Sequence, residues 1–280
     1  MPALGVLRDG RPLTVDFAAP FHMLLVGATR SGKSAMTYAL LCQAASDPTV
    51  LVAGVDVSSI LLSPFATEAT KPWVHLGSAN LEHAVEVVEN MVSEMQRRLD
   101  FLIASGLDKV NPGVDFPIVL FVLEEYPGLL GALDGWDAAS GVKAADRLKP
   151  RLLLGVGRLL RESAKVGIRV LTISQTAHKE ILGGDLRSQY SRRWCHRLDS
   201  AGDVSLCLES ATKEQVEGLM TSQPGVSLYW EAGHPIVSAR SHFIEYPAYR
   251  DFVVRRMASK RTPYPPTTTT KEGSQDDASE

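Results

Sequence analysis

Long apolar runs are missing from this sequence. No stretch of about 18 apolar residues occurs in its 280 residues, so no transmembrane helix is expected. The opening residues, MPALGVLRDGRPL, lack the apolar core of a secretory leader. Cysteine is scarce. Cys42, Cys195 and Cys207 stand far apart and form neither a zinc pattern nor a disulfide framework. A cytoplasmic protein using all three for packing is the expectation. An excess of one charge is also lacking: 29 Lys and Arg against 32 Asp and Glu leave a net charge of −3. No global basic field marks a nucleic-acid partner, so any DNA contact has to come from local patches. No internal repeat is visible. The 45% hydrophobic and 22% charged composition suits one large α/β domain, alone or with an appendage.

What is present is a loop with a defined chemistry. In LLVGATRSGKSAM, Leu24 to Met36, an apolar run meets Gly27-Ala28-Thr29-Arg30-Ser31-Gly32-Lys33-Ser34, the spacing of a phosphate-binding P-loop. Glycines let successive backbone N–H groups turn inward toward phosphate oxygens. A helix starting at the loop adds the positive end of its dipole. Lys33 is expected to reach the β- and γ-phosphates of ATP, and the Ser34 hydroxyl to ligate Mg²⁺. Phe21 to Val26 reads as a buried strand and Ser34 to Ala45 as a helix, the context such a loop needs.

Strands and helices alternate along the rest of the chain. Leu4 to Phe17 turns at Asp9-Gly10 as a hairpin leading into the core. Val50 to Val55 is a strand ending at Asp56. Leu81 to Ser105 has helical periodicity and stops at Gly106. Pro117 to Leu123 is a wholly apolar strand, hence central in a parallel sheet. Leu133 to Pro150 is polar and glycine-containing and reads as a mobile connection. Leu152 to Val166 is a helix ended by Gly167, and Ile168 to Ile173 a further strand. Arg193 to Leu198 and Val226 to Trp230 look like later strands. The alternation predicts a mostly parallel sheet covered by helices on both faces. The domain is expected over residues 1–260, and residues 261–280, rich in Pro, Thr and acids, as a disordered tail.

Two strand ends carry further chemistry. FPIVLFVLEEY ends in Glu124 and Glu125. In P-loop enzymes the strand beside the P-loop strand ends in an acid that holds Mg²⁺. A second acid next to it can act as general base on the attacking water. Glu124 is therefore the expected metal ligand and Glu125 the base. Glu124 is one methylene longer than the usual Asp, which weakens or shifts the metal site. RVLTISQTAH, Arg169 to His178, ends in Ser174 and Gln175, with Gln175 either a γ-phosphate sensor or a helix cap.

At this point the motifs resemble those of the FtsK/SpoIIIE-type DNA translocases, a branch of the hexameric RecA-like ATPases. VLRDGRPLTVDFAAPFHMLLVGATRSGKS is similar to the family's hairpin and P-loop. NMVSEMQRRLDFLIASGLDKV, IVLFVLEEYPGLL, GRLLRESAKVGIRVLTISQTA, RRWCHRLDSAGD and QPGVSLYW follow in the family's order. The resemblance covers roughly Gly5 to Tyr249. Departures are Arg30 for a P-loop glycine, Glu-Glu for Asp-Glu, no Lys after Asp56, and Thr176-Ala177 for Arg-Pro. With neither a membrane segment nor a winged-helix module, the chain resembles the minimal motors of plasmids, integrative elements or phages.

The resemblance implies a RecA-like P-loop fold and DNA-stimulated ATP hydrolysis. It also implies a homo-oligomeric ring, six-membered by analogy, threaded by double-stranded DNA, with a further protein recruiting it. An arginine from the neighbouring subunit completes such a site; Arg158, Arg161 and Arg193 are the candidates. The basic stretch RSQYSRRWCHR, with Arg187, Arg192 and Arg193, faces either DNA, a neighbour or solvent. Two alternatives stay open: a related ATPase that moves or recruits protein, as in type VII secretion, and a nucleotide-dependent adaptor that does not hydrolyse.

Overall fold

Apolar residues at successive positions of the central strands require two buried faces, and both are filled. The computed structural model describes residues 3–113, 115–177 and 186–259. Among them, β1 (Gly5–Leu7), β2 (Pro12–Leu13), β3 (Met23–Val26), β4 (Val50–Asp56), β5 (Val74–Leu76), β6 (Ile118–Glu124), β7 (Ile168–Ser174), β8 (Arg192–His196), β9 (Val226–Glu231) and β10 (Val237–Ser241) form one sheet. Its order is β2-β1-β10-β9-β8-β3-β7-β6-β4-β5. From β8 to β5 the strands run parallel. β9, β10 and the β1–β2 hairpin extend the sheet antiparallel.

The period of two is explicit in β6. Val119, Phe121 and Leu123 join the core on one face, while Ile118, Leu120 and Val122 join the core on the other. Helices α2 (Leu81–Ser105), α3 (Tyr126–Ser140) and α4 (Leu148–Glu162) supply the first core. Helix α1 (Lys33–Ser46) and the helix closing the described chain supply the second. Between them lie three short helices, α5 (Leu186–Gln189), α6 (Ala201–Cys207) and α7 (Lys213–Met220); the closing one is α8 (Tyr246–Ser259). Helix α2 ends where its sequence says it should, on Gly106 at φ 65°, the left-handed conformation that glycine adopts without a Cβ clash.

Three sequence expectations are corrected. The strand carrying Glu124 is not beside the P-loop strand: β7 lies between β3 and β6 and separates loop from acids. Leu133 to Pro150 is mostly helical. Asp137 on α3 accepts hydrogen bonds from the backbone N–H groups of Leu148 and Lys149, capping α4 from outside, and Lys149 bridges to Asp134. The basic stretch from Arg187 to Arg197 is no open surface: all five residues of β8, Arg192 and Arg193 among them, are buried. The tail from residue 261 and the His178 end of the sensor segment lie outside the described residues.

Buried arginines act as staples. Arg98, fully buried, pairs with Glu94 and donates to the carbonyls of Pro117 and Val166, tying α2 to the starts of β6 and β7.

Candidate nucleotide site

The loop between β3 and α1 is pinned from below. Gly27 N–H donates to the Ser174 carbonyl and Ala28 N–H to that of Arg197, anchoring it to β7 and β8. Gly225 N–H, from the turn before β9, donates to the Ser31 carbonyl at 2.8 Å. Gly32 caps α1 at φ 95°, and a Cβ there would sit 2.2 Å from the Gly225 nitrogen, so two glycines meet where no side chain fits. The first turn of α1 holds no carboxylate, leaving its positive dipole end for an external anion. Arg30 stands at φ 64°, the left-handed region, which explains why glycine suits this position; a non-glycine residue there costs about 1–2 kcal/mol.

A cleft of about 920 Å³ opens over this loop. It brings together Ala28, Thr29, Arg30, Gly32, Lys33 and Ser34 with Glu124, Glu125 and Gln175. Ser31 is not on its wall: its side chain is buried beneath the loop, leaving only its backbone for a ligand. Lys33 Nζ lies 3.8 Å from Glu125 Oε2. Burial lowers the Lys33 ammonium's affinity for its proton, and the two glutamates partly offset this. Glu125 also adopts a left-handed conformation, φ 46°, at the start of α3. Backbone strain of this kind concentrates where geometry is functional. Thr29 Oγ1 donates to Gln175 Oε1 at 3.2 Å, linking the phosphate loop to the end of β7.

Glu124 and Asp56 are register partners on β6 and β4. Asp56 is fully buried and accepts from Ser58 N–H, Ser58 Oγ and Leu62 N–H. Burial, with Asp56 and Glu125 close by, pushes the Glu124 carboxyl up to about 8. One of its oxygens, Oε2, is buried without a hydrogen-bond partner. A divalent cation fits here: it would replace the proton and occupy the orphaned oxygen, with Ser34 across the cleft.

The far wall was not legible as site residues. Tyr38, Pro224, Gly225 and the segment from Arg240 to Tyr246 complete the cleft. Phe243 is 80% exposed at its rim. Tyr38 is held by Tyr249 of α8, stacked at 4.6 Å. QPGVSLYW contains Gly225 but did not mark it as a site residue, and nothing in the spacing flagged Phe243.

The arginines separate into two groups. Arg193 is buried, donates to the carbonyls of Arg187, Tyr190 and Cys207, and packs over Trp230. Arg192 is buried too, held by Glu231, the Asp16 carbonyl and the Phe21 ring. Neither presents its guanidinium to DNA or to a neighbour, because internal acceptors take it. Arg187 is bound to Glu209 at the surface. Arg158, on α4, pairs with Glu162 and Gln96 outside the cleft, and Arg161 lies one turn further along α4. No part of α4 lines this cleft.

Sequence comparison agrees with this geometry. The sequence model of the FtsK/SpoIIIE family matches residues 3–118. The chain resembles that family over those residues. It is similar to DNA translocase SftA of Bacillus subtilis, 24% identical across 77% of this chain and 22% of that protein. It is similar to DNA translocase FtsK of Treponema pallidum, 23% identical across 77% and 26%. Protein Tra of Streptomyces lividans is 24% identical across 78% and 35%. The chain thus spans between about a fifth and a third of these relatives. Among solved structures, the pCW3 conjugation coupling protein TcpA with ATPγS superposes at a TM-score of 0.67, 17% identical, covering 91% of this chain and 70% of that one. The type VII secretion ATPase EccC of Thermomonospora curvata superposes at 0.67, 23% identical, covering 93% and 31%. These likenesses show the fold, that of a P-loop ATPase. No helix among the described residues is long and apolar enough to cross a membrane.

Proposed function

We propose that this domain is the ATP-hydrolysing motor of a double-stranded DNA translocase. The observation that carries the reading is the convergence of Lys33, Ser34, Glu124, Glu125 and Gln175 on one cleft, in a chain whose relatives are named DNA translocases. Lys33 binds the β- and γ-phosphates, which compete with Glu125 for its ammonium. Glu125, released from that contact, accepts the proton of the attacking water. Gln175, tied to Thr29, reports whether the γ-phosphate is present. Ser34 and Glu124 would hold Mg²⁺, which when bound neutralises phosphate charge.

Among the described residues two arginines line the cleft, Arg30 within the loop itself and Arg240 on β10, and we assign the arginine finger to neither. Arg158 and Arg161 are the residues we assign to a neighbour's site in a homo-oligomeric ring, six-membered by family analogy. Duplex DNA is gripped through phosphates, with little base reading. With Arg192 and Arg193 buried, that grip comes from outside β8. The motor works in the cytoplasm and is recruited to DNA by another protein. Displacement of a triplex-forming strand from linear duplex tests the reading. The parent chain should displace it with ATP and Lys33→Ala should not; ATP turnover without displacement would place the motor on a protein substrate. Mixing Lys33→Ala with Arg158→Ala or Arg161→Ala subunits should restore part of the turnover.

A further inference from the structure

The phosphate loop rests on a buried histidine. His196 ends β8, one residue past the Val26–Cys195 pairing, and so lies beside Gly27. A Cβ on Gly27 would stand 2.7 Å from the His196 Cβ and 2.6 Å from the Ser31 hydroxyl oxygen. The two side chains therefore flank the slot that the glycine leaves open. His196 is fully buried and Ser31 nearly so. By hydrogen-bond geometry both ring nitrogens of His196 and the Ser31 hydroxyl are unpaired, although the backbone of Ser31 and of Val226 lies close enough to the ring to favour its protonated form. Three orphaned polar atoms in one spot are uncommon, because each loses its water without replacement. A phenylalanine would fill the same space at no such cost. Burial also keeps the imidazole neutral, holding its pKa down to about 4; the Ser31 and Val226 backbone partly offsets this, and Lys33 nearby reinforces it. A neutral imidazole offers one donor and one acceptor, and a serine hydroxyl is both.

We propose that His196 is a positioning residue of the P-loop, bonding to the Ser31 hydroxyl beneath the loop once phosphate is bound. The inference rests on the nucleotide reading of the cleft. Ser31 is the suitable partner because its backbone is already fixed, its carbonyl held by Gly225 N–H at 2.8 Å. With that backbone held, a turn of the Ser31 side chain about χ1, once phosphate orders the loop, brings the hydroxyl to the ring. The bond forms only in the loaded loop and so favours it.

The test is direct titration with a fluorescent ATP analogue, alongside thermal melting. His196→Phe keeps the packing and should melt no lower than the parent, yet bind the analogue about tenfold more weakly, the scale of one hydrogen bond. His196→Asn or His196→Gln, which restores a donor in place of one ring nitrogen or the other, should recover most of that loss. Ser31→Ala should bind as weakly as His196→Phe, and the double variant no more weakly than either, since one bond is lost once. Parental affinity in both single variants, additive losses, or losses that track melting temperature would overturn the proposal. If His196→Phe fails to fold, Ser31→Ala, which removes one hydroxyl, decides by itself. Lys33→Ala separates the two levels. Its binding at parental affinity sinks the nucleotide reading, whereas parental binding by His196→Phe sinks only the His196–Ser31 bond.

Discussion

Lys33 Nζ and Glu125 Oε2 face each other at 3.8 Å across the mouth of the cleft, joining the cation of the P-loop to the second acid of the strand end two strands away. The pair holds both groups where a triphosphate would meet them.

Replacing Lys33 by Ala should remove nucleotide binding and leave the fold intact. The lysine bonds no core group, so its loss should move the melting temperature by no more than about 2 °C. Nucleotide titration and thermal melting check this. Parental turnover in the variant would contradict the P-loop assignment.

Glu125→Gln keeps shape and removes the base. ATP should still bind, while turnover falls about 10²–10⁴-fold. If Glu124→Gln stops turnover in single-turnover assays and Glu125→Gln does not, the roles of the two acids are reversed.

The parts legible in the sequence were those set by local rules. The P-loop, the ends of α2 and the alternation of β6 follow from glycine placement and periodicity. Helix α3 was hidden because Pro127, Gly128, Gly131 and Gly135 argue against helix, while burial of Leu129, Leu130 and Leu133 overrides that propensity. Arg192 and Arg193 misled because side-chain direction in a strand depends on partners far along the chain, here Glu231 and the Cys207 carbonyl. β10 and Phe243 were missed because the strand is short and only half-buried, with no apolar stripe to mark it.

Phe243 should serve the base of the nucleotide. Its exposed ring at the cleft rim is placed to stack, and such stacking contributes about 1–3 kcal/mol. Phe243→Ala should weaken ATP at least about tenfold and leave inorganic tripolyphosphate unaffected. Equal losses for both ligands, measured by competition, would mean that the ring supports the loop rather than the base.

Stability of the nucleotide-free chain should peak near pH 6.5. Burial lowers His22 to about 3 and His196 to about 4, so their contribution is complete above the ordinary histidine value and is lost as pH falls below it. Glu124, raised to about 8, acts oppositely: folding gains stability as pH falls from 8 toward the ordinary glutamate value. Between pH 6.5 and 5 the two histidines outweigh the one acid, for a net loss of about 2 kcal/mol. Urea midpoints across pH 5–8.5 should show this maximum, and Glu124→Gln should flatten its alkaline side. A monotonic rise to pH 8.5 would show that Glu124 holds no proton at neutrality.

The central claim, an ATP motor driven by duplex DNA, is tested most directly by the rate of ATP turnover with and without linear double-stranded DNA across a range of protein concentrations. A rate that rises steeply with protein concentration, with duplex DNA lowering the concentration required, is the predicted result. A rate indifferent to both DNA and protein concentration would contradict it.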